Sequence, residues 1–253
     1  MPIGIIVNCL SVLIGGLLGA VLGHKIPERL KVGLPLTFGV ASMAMGVNYI
    51  VKMNTLPAVI LSLVIGSAIG ELIKVEAGIE WCAGKVKGPI ESLFKGNKKD
   101  EAYKEVAVTL ESNEKNEIEF MEKFVAIVIL FCASGTGIFG SLKEGMTGDH
   151  TVLLAKSILD FFTAGIFATA LGYLVMTVCI PQFAIMIVLY LSASFIMPLT
   201  TPSMINDFTA CGGILMLATG FRISGIKSFP VANMLPALVL VMPLSHLWTS
   251  FFK

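Results

Sequence analysis

The sequence predicts an all-α polytopic membrane protein of about eight transmembrane helices with inverted internal repeats, and three observations predict it. First, 55% of the 253 residues are hydrophobic and only 14% charged, with a mean hydropathy of +0.86. Such a composition is foreign to a soluble globular domain. Second, the charge is segregated: residues 74–123 hold twenty of the thirty-five charged residues, and the other fifteen are spread thinly among long apolar runs. Third, Pro27–Gly46 is similar to Pro202–Gly220, and each is followed by a like signature, Asn54-Thr-Leu-Pro57-Ala58 and Asn233-Met-Leu-Pro236-Ala237.

Eight spans are expected, at 3–23, 33–51, 56–73, 124–141, 152–179, 181–199, 205–224 and 231–250. Each approaches the 20 or so residues that a hydrocarbon core of roughly 30 Å requires. Helices are the expected form because the bilayer offers the backbone no hydrogen-bonding partner. The first run lacks a basic leader, and its positive charges (Lys25, Arg29, Lys31) follow it, so it reads as a span rather than a signal peptide. Placing residues 24–32, 74–123 and 222–230 in the cytoplasm collects fourteen Lys/Arg there, against Lys52, Lys143 and Lys253 outside. The positive-inside rule then puts both termini outside.

The expected organisation is a single membrane domain, 1–253. A first helical repeat region (1–75) leads to a charged cytoplasmic loop (76–122), central helices (123–180) and a second, inverted repeat region (181–253). Asn and Pro open helices, so the two signatures start spans 3 and 8. An offset of five helices inverts the second copy, an architecture that recurs in secondary transporters.

Span 1 carries Gly15, Gly19 and Gly23, and span 3 carries Gly66 and Gly70. Four-residue spacing of small residues lets helix backbones approach closely, which is a packing signal. Asn8 in span 1 can bond a neighbouring helix or a ligand. Glu71 and Lys74 are placed for an interfacial i, i+3 pair. In span 4 the run Ala133-Ser134-Gly135-Thr136-Gly137 favours a break, since each glycine costs a helix about 1 kcal/mol relative to alanine. Freed backbone groups survive in a membrane only against protein or a watery cavity. Close glycine packing in an intact helix is the competing reading.

Span 5 holds Lys156 and Asp160, one helical turn apart and able to pair. Asp160 lies about 12 Å into the run at a rise of about 1.5 Å per residue. A charge at such depth costs at least about 2.5–3.5 kcal/mol on insertion scales. The favoured reading is a polar site within the bundle; the competing one is a snorkelling lysine with a counter-ion. A turn at Ile180-Pro181-Gln182 is expected next, with Gln182 near the inner surface. Asn206 and Asp207 open span 7, where capping competes with ligand binding. His246 is expected at the interface or packed.

Five scattered cysteines without metal spacing read as free thiols. No HExxH or Ser/His constellation supports an enzyme, and neither a cofactor, a metal nor nucleic acid is expected. GIIVNCLSVLIGGLLG, LFCASGTGIFGSLKEGMTGDH, AKSILD and GGILMLATGFRISGIKSFPVANMLPAL together resemble the bacterial membrane protein family catalogued as domain of unknown function 554. The likeness omits the charged loop 78–120, and Phe183 stands where the family has glycine after Gln182. The resemblance implies an inner-membrane protein of transporter-like build and names no substrate.

The expected function is secondary transport of a small polar or charged solute, coupled to an ion or proton. Lys156, Asp160, Ser134, Thr136, Asn206, Asp207 and Asn8 are the candidate binding residues. A channel, or a non-transporting scaffold or assembly protein, is the alternative. The expected partners are the lipid bilayer, the solute and a second copy in a homodimer. The expected location is the bacterial cytoplasmic membrane, crossed many times.

Overall fold

A computed structural model describes residues 1–79, 81, 124, 127–128, 130–132 and 134–251. Most of the charged loop, and the position of Lys99 within it, lies outside the described residues. Among those described there is no strand. The helices are α1 (Ile3–Leu22), α2 (Glu28–Ile50), α3 (Leu56–Leu72), α4 (Gly135–Thr147), α5 (Thr151–Leu171), α6 (Cys179–Ile196), α7 (Pro202–Ile223), α8 (Val231–Met234) and α9 (Pro236–Phe251). Phe124, Ile127, Val128 and Leu130–Cys132 are also helical, ahead of α4. Five stretches, Ile3–Leu22, Glu28–Ile50, Thr151–Leu199, Pro202–Ile223 and Val231–Phe251, are long and apolar enough to cross a membrane. Leu56–Leu72 is a shorter apolar helix.

The outward face is built for lipid. Leu10, Leu13, Leu17 and Val21 are exposed along one side of α1, at the three- and four-residue spacing of a helix face. The polar residues go inward instead: Asn8, Glu144, Gln182 and Asp207 are 2% exposed or less.

Small residues set the helix pairs. Any side chain on Gly15, Gly19 or Gly23 would strike Phe161, Gly165 or Thr169 in turn, a constant offset that makes α1 and α5 parallel. In α2 and α7, Gly46 meets the Gly213 carbonyl and Gly39 the Gly220 carbonyl. There the numbers rise on one helix as they fall on the other, so this pair is antiparallel. Gly66 against Ala237 in α9 and Gly70 against Asn233 in α8 make α3 antiparallel to the α8–α9 stretch as well. These relative directions agree with the charge-derived order of crossings. Hydrogen bonds join the pairs, as where Ser42 donates to the Met216 carbonyl across α2 and α7 at 3.0 Å.

From span 4 onward one expected boundary holds and three differ. The break in span 4 is real: Ser134 has extended backbone (φ −70, ψ 132) and caps α4 by accepting from the Gly137 N–H. The helix then runs to Thr147, past the expected end at 141, because Gly148 supplies the left-handed C-cap (φ 72). The expected turn at Ile180–Gln182 lies earlier. Gly172 (φ 59, ψ −146) ends α5 and a 3-10 stretch, Gly172–Val178, leads into α6. Such a backbone is nearly reserved for glycine, whereas Pro181 sits in the first turn of α6, where a missing N–H is harmless. Finally, α7 starts at Pro202 rather than 205, with the Thr201 hydroxyl as its cap.

Candidate functional site

Lys156 and Asp160 face the protein interior on α5, their side chains 4% and 11% exposed. The Lys156 ammonium bonds Asp160 Oδ2 directly. The ammonium is thus held within the protein against its acid, as a polar site in the bundle requires. The same oxygen accepts from Asn8 Nδ2 at 2.9 Å and from Gln182 Nε2 at 3.1 Å. Gln182 Nε2 also donates to Asn8 Oδ1 at 2.8 Å. Helices α1, α5 and α6 therefore meet on one buried carboxylate. A continuous helix would hold residues 160 and 182 about 33 Å apart, so the reversal at Gly172 is what creates this contact.

A cavity of about 700 Å³ adjoins the pair. Among the described residues, Ser134, Thr136, Lys156 and Asp160 line its deep end, and Lys31, Glu76 and Arg222 its other end. Along α5 it passes Thr163, Phe167 and Leu171, about 22 Å from Lys156 at the helical rise. It thus runs from the buried pair to the side where the positive loops gather. At that rim Arg222 Nη1 bonds Glu76 Oε1 at 2.7 Å, and the Glu76 N–H donates to Asn233 Oδ1 at 2.8 Å. The expected Glu71–Lys74 ion pair is absent among the described residues, and the acid paired at this rim is Glu76, with Arg222. Lys74 has a left-handed backbone (φ 53) beyond the end of α3.

A family model for a protein of unknown function, DUF554, matches residues 3–246. The chain belongs to that family. This DUF554 member is 48% identical over 252 residues, 100% of both chains, to the uncharacterized protein YqgA of Escherichia coli (strain K12). It is 27% identical over 241 residues, 94% of this chain and 93% of the relative, to the uncharacterized membrane protein YdfK of Bacillus subtilis (strain 168). No solved structure matches. A relative described as a membrane protein and the lipid-facing helices agree that this is a membrane protein.

Of the candidate residues in this DUF554 chain, Asn8, Lys156 and Asp160 are bonded together, and Ser134 and Thr136 line the same cavity. Asn206 and Asp207 stand apart from that network. Asp207 Oδ1 accepts the N–H groups of Asn54 and Thr55, each at 2.8 Å, and Oδ2 accepts from Ser245 Oγ at 2.6 Å. It caps the start of α3 rather than its own helix, whose cap is Thr201. That is a structural role for a buried acid, because two otherwise unpaired N–H groups are satisfied. Asn206 is half-buried and joins neither set.

Two residues escaped the sequence reading. Gln182, expected near the inner surface, is fully buried, and hydropathy gave no hint that the turn lies ten residues earlier. The available signal was Gly172, the only glycine between 166 and 200. Glu144 was not singled out. It is buried, and its Oε1 accepts the Gly4 N–H at 2.8 Å, where the positive end of the α1 dipole favours an anion. Just outside, burial raises the pKa of the Asp149 carboxyl, but hydrogen bonds from Lys143 Nζ (2.6 Å) and the Thr151 N–H (3.0 Å) outweigh it. The net result is a carboxyl well below its usual range.

Proposed function

We propose that this DUF554 protein is a secondary transporter of a small polar or charged solute, coupled to an ion or proton, in the bacterial cytoplasmic membrane. One observation carries the reading. A buried, multiply bonded ion pair closes the deep end of a cavity that reaches only the positively flanked side among the described residues. Discontinuous helices and mid-membrane charges are the usual furniture of such sites, and the break at Ser134 borders the cavity. In this reading Asp160 is the titratable or cation-holding group and Lys156 its exchangeable partner. No enzymatic step is assigned.

The inverted repeat belongs to the same proposal. Aligned on their ends, the two similar stretches match Gly39 with Gly213 and Gly46 with Gly220. The contacts observed are Gly39 with Gly220 and Gly46 with Gly213. Exchanging the copies turns each contact into the other, as at a two-fold interface. In this reading the axis lies in the membrane plane, because α2 and α7 run antiparallel.

Reconstituted vesicles test the proposal by solid-supported-membrane currents and a lumenal pH dye, across amino acids, carboxylates, amines and inorganic ions. The expected outcome is saturable flux for at least one class, lost in Asp160→Asn. Unitary single-channel currents would make the protein a channel. Identical traces from wild type and Asp160→Asn with every class would remove transport altogether.

A further inference from the structure

We infer that the solute is an organic anion whose carboxylate is held between the N-terminus of α4 and the Lys156 ammonium; this deepens the transporter reading and rests on it. The helix α4 starts beside the cavity because the chain is broken at Ser134. The Ser134 hydroxyl satisfies the Gly137 N–H at 3.1 Å, while the N–H groups of Gly135 and Thr136 have no partner among the described residues. A helix start presents roughly half a positive charge, and such ends take up anions.

The independent observation is Thr136. It is 5% exposed and lines the cavity, and its hydroxyl bonds no described residue. The hydroxyl is not sealed away from the cavity, so an acceptor on a ligand there is within its reach to complete it. Lys156 approaches from the same side: a Cβ on Gly137 would lie 3.0 Å from its Cε. An ammonium carries three donors, and Asp160 takes one. Asp160 balances the lysine charge and leaves the helix end uncompensated. A cationic group placed there would face two positive ends.

The rest of the lining selects the kind of anion. Ile127, Leu130, Phe131, Leu159 and Phe167 present apolar surface, which suits an apolar body behind a single carboxylate rather than a halide or a phosphate dianion. A cavity of about 700 Å³ is of the usual size for a small organic ligand.

Three probes with one body and different heads test this: benzoate, benzamide and benzylamine, titrated calorimetrically into the purified full-length protein in chloride-free detergent buffer at pH 7. Benzoate is expected to bind saturably and the other two not. Thr136→Val keeps the side-chain shape, so its unliganded melting temperature should equal the wild type while its benzoate affinity falls about tenfold or more, the weight of a hydrogen bond to a charged group. Benzylamine binding in place of benzoate would overturn the anion assignment and leave the transporter reading standing. Unchanged benzoate affinity in Thr136→Val, or binding of none of the three, would also overturn it. Thr136-dependent benzoate binding without flux of any solute would keep the site and remove the transporter.

Discussion

At the scale of single residues, Asp160 is the group whose loss should propagate furthest, because three helices donate to its Oδ2. Removing one partner of a buried pair strands the other charge, at about 3–5 kcal/mol, whereas replacing both by apolar groups relieves it. Lys156→Ala and Asp160→Asn should each lower thermal stability in detergent, Lys156→Ala more, since it leaves a carboxylate with only Asn8 and Gln182 as donors. Lys156→Met with Asp160→Leu should recover stability without recovering flux. If both single variants melt like the wild type, the pair is not a buried one and Asp160 loses its central place. Lys156, Asp160 and Asn8 were legible from the sequence because ionisable and amide groups are conspicuous in apolar runs. Gln182 and Glu144 were not, since both stand near assumed ends of spans, where a polar residue is ordinary.

At the scale of helices, glycine spacing is the device that pairs them, and its effect depends on what each glycine faces. A Cβ at Gly46 would lie 2.6 Å from the Gly213 carbonyl oxygen, closer than real contacts allow, so α2 and α7 would have to separate. Gly33, on the same helix, faces nothing within 4 Å. Gly46→Ala should therefore destabilise by about 1–3 kcal/mol, the usual range for overpacking. Gly33→Ala should be neutral or stabilise by up to about 1 kcal/mol through helix propensity. Chemical unfolding of both variants in mixed micelles measures the contrast, and equal effects would show that α2 and α7 do not meet along this seam. The sequence alone marked Gly15, Gly19, Gly66 and Gly70 as packing residues. It could not say that the first two serve a parallel pair and the last two an antiparallel one.

At the scale of the whole molecule, the order of crossings came from counting basic residues, and the helix directions agree with it. The absolute orientation is a separate expectation. Alkaline phosphatase fused after Lys52 or Lys253 should be active, and fused after Lys227 silent, with a cytoplasmic fluorescent reporter giving the converse. The opposite pattern would turn the cavity to the outside and with it the direction in which the solute is first met.

Composition and charge segregation by themselves determined that the chain is a helical membrane protein, roughly where it crosses, and that span 5 carries a charge pair needing explanation. These follow from the bilayer as solvent, which acts on each segment separately and so is written locally in hydropathy. The reversal at Gly172, the burial of Gln182 and Glu144, the use of Asp207 as a cap for α3, and the cavity beside Thr136 were decided only by the tertiary structure. Each depends on which donor on one helix comes within about 3 Å of an acceptor on another. Hydropathy sums the polarity of a segment and is blind to that direction and distance.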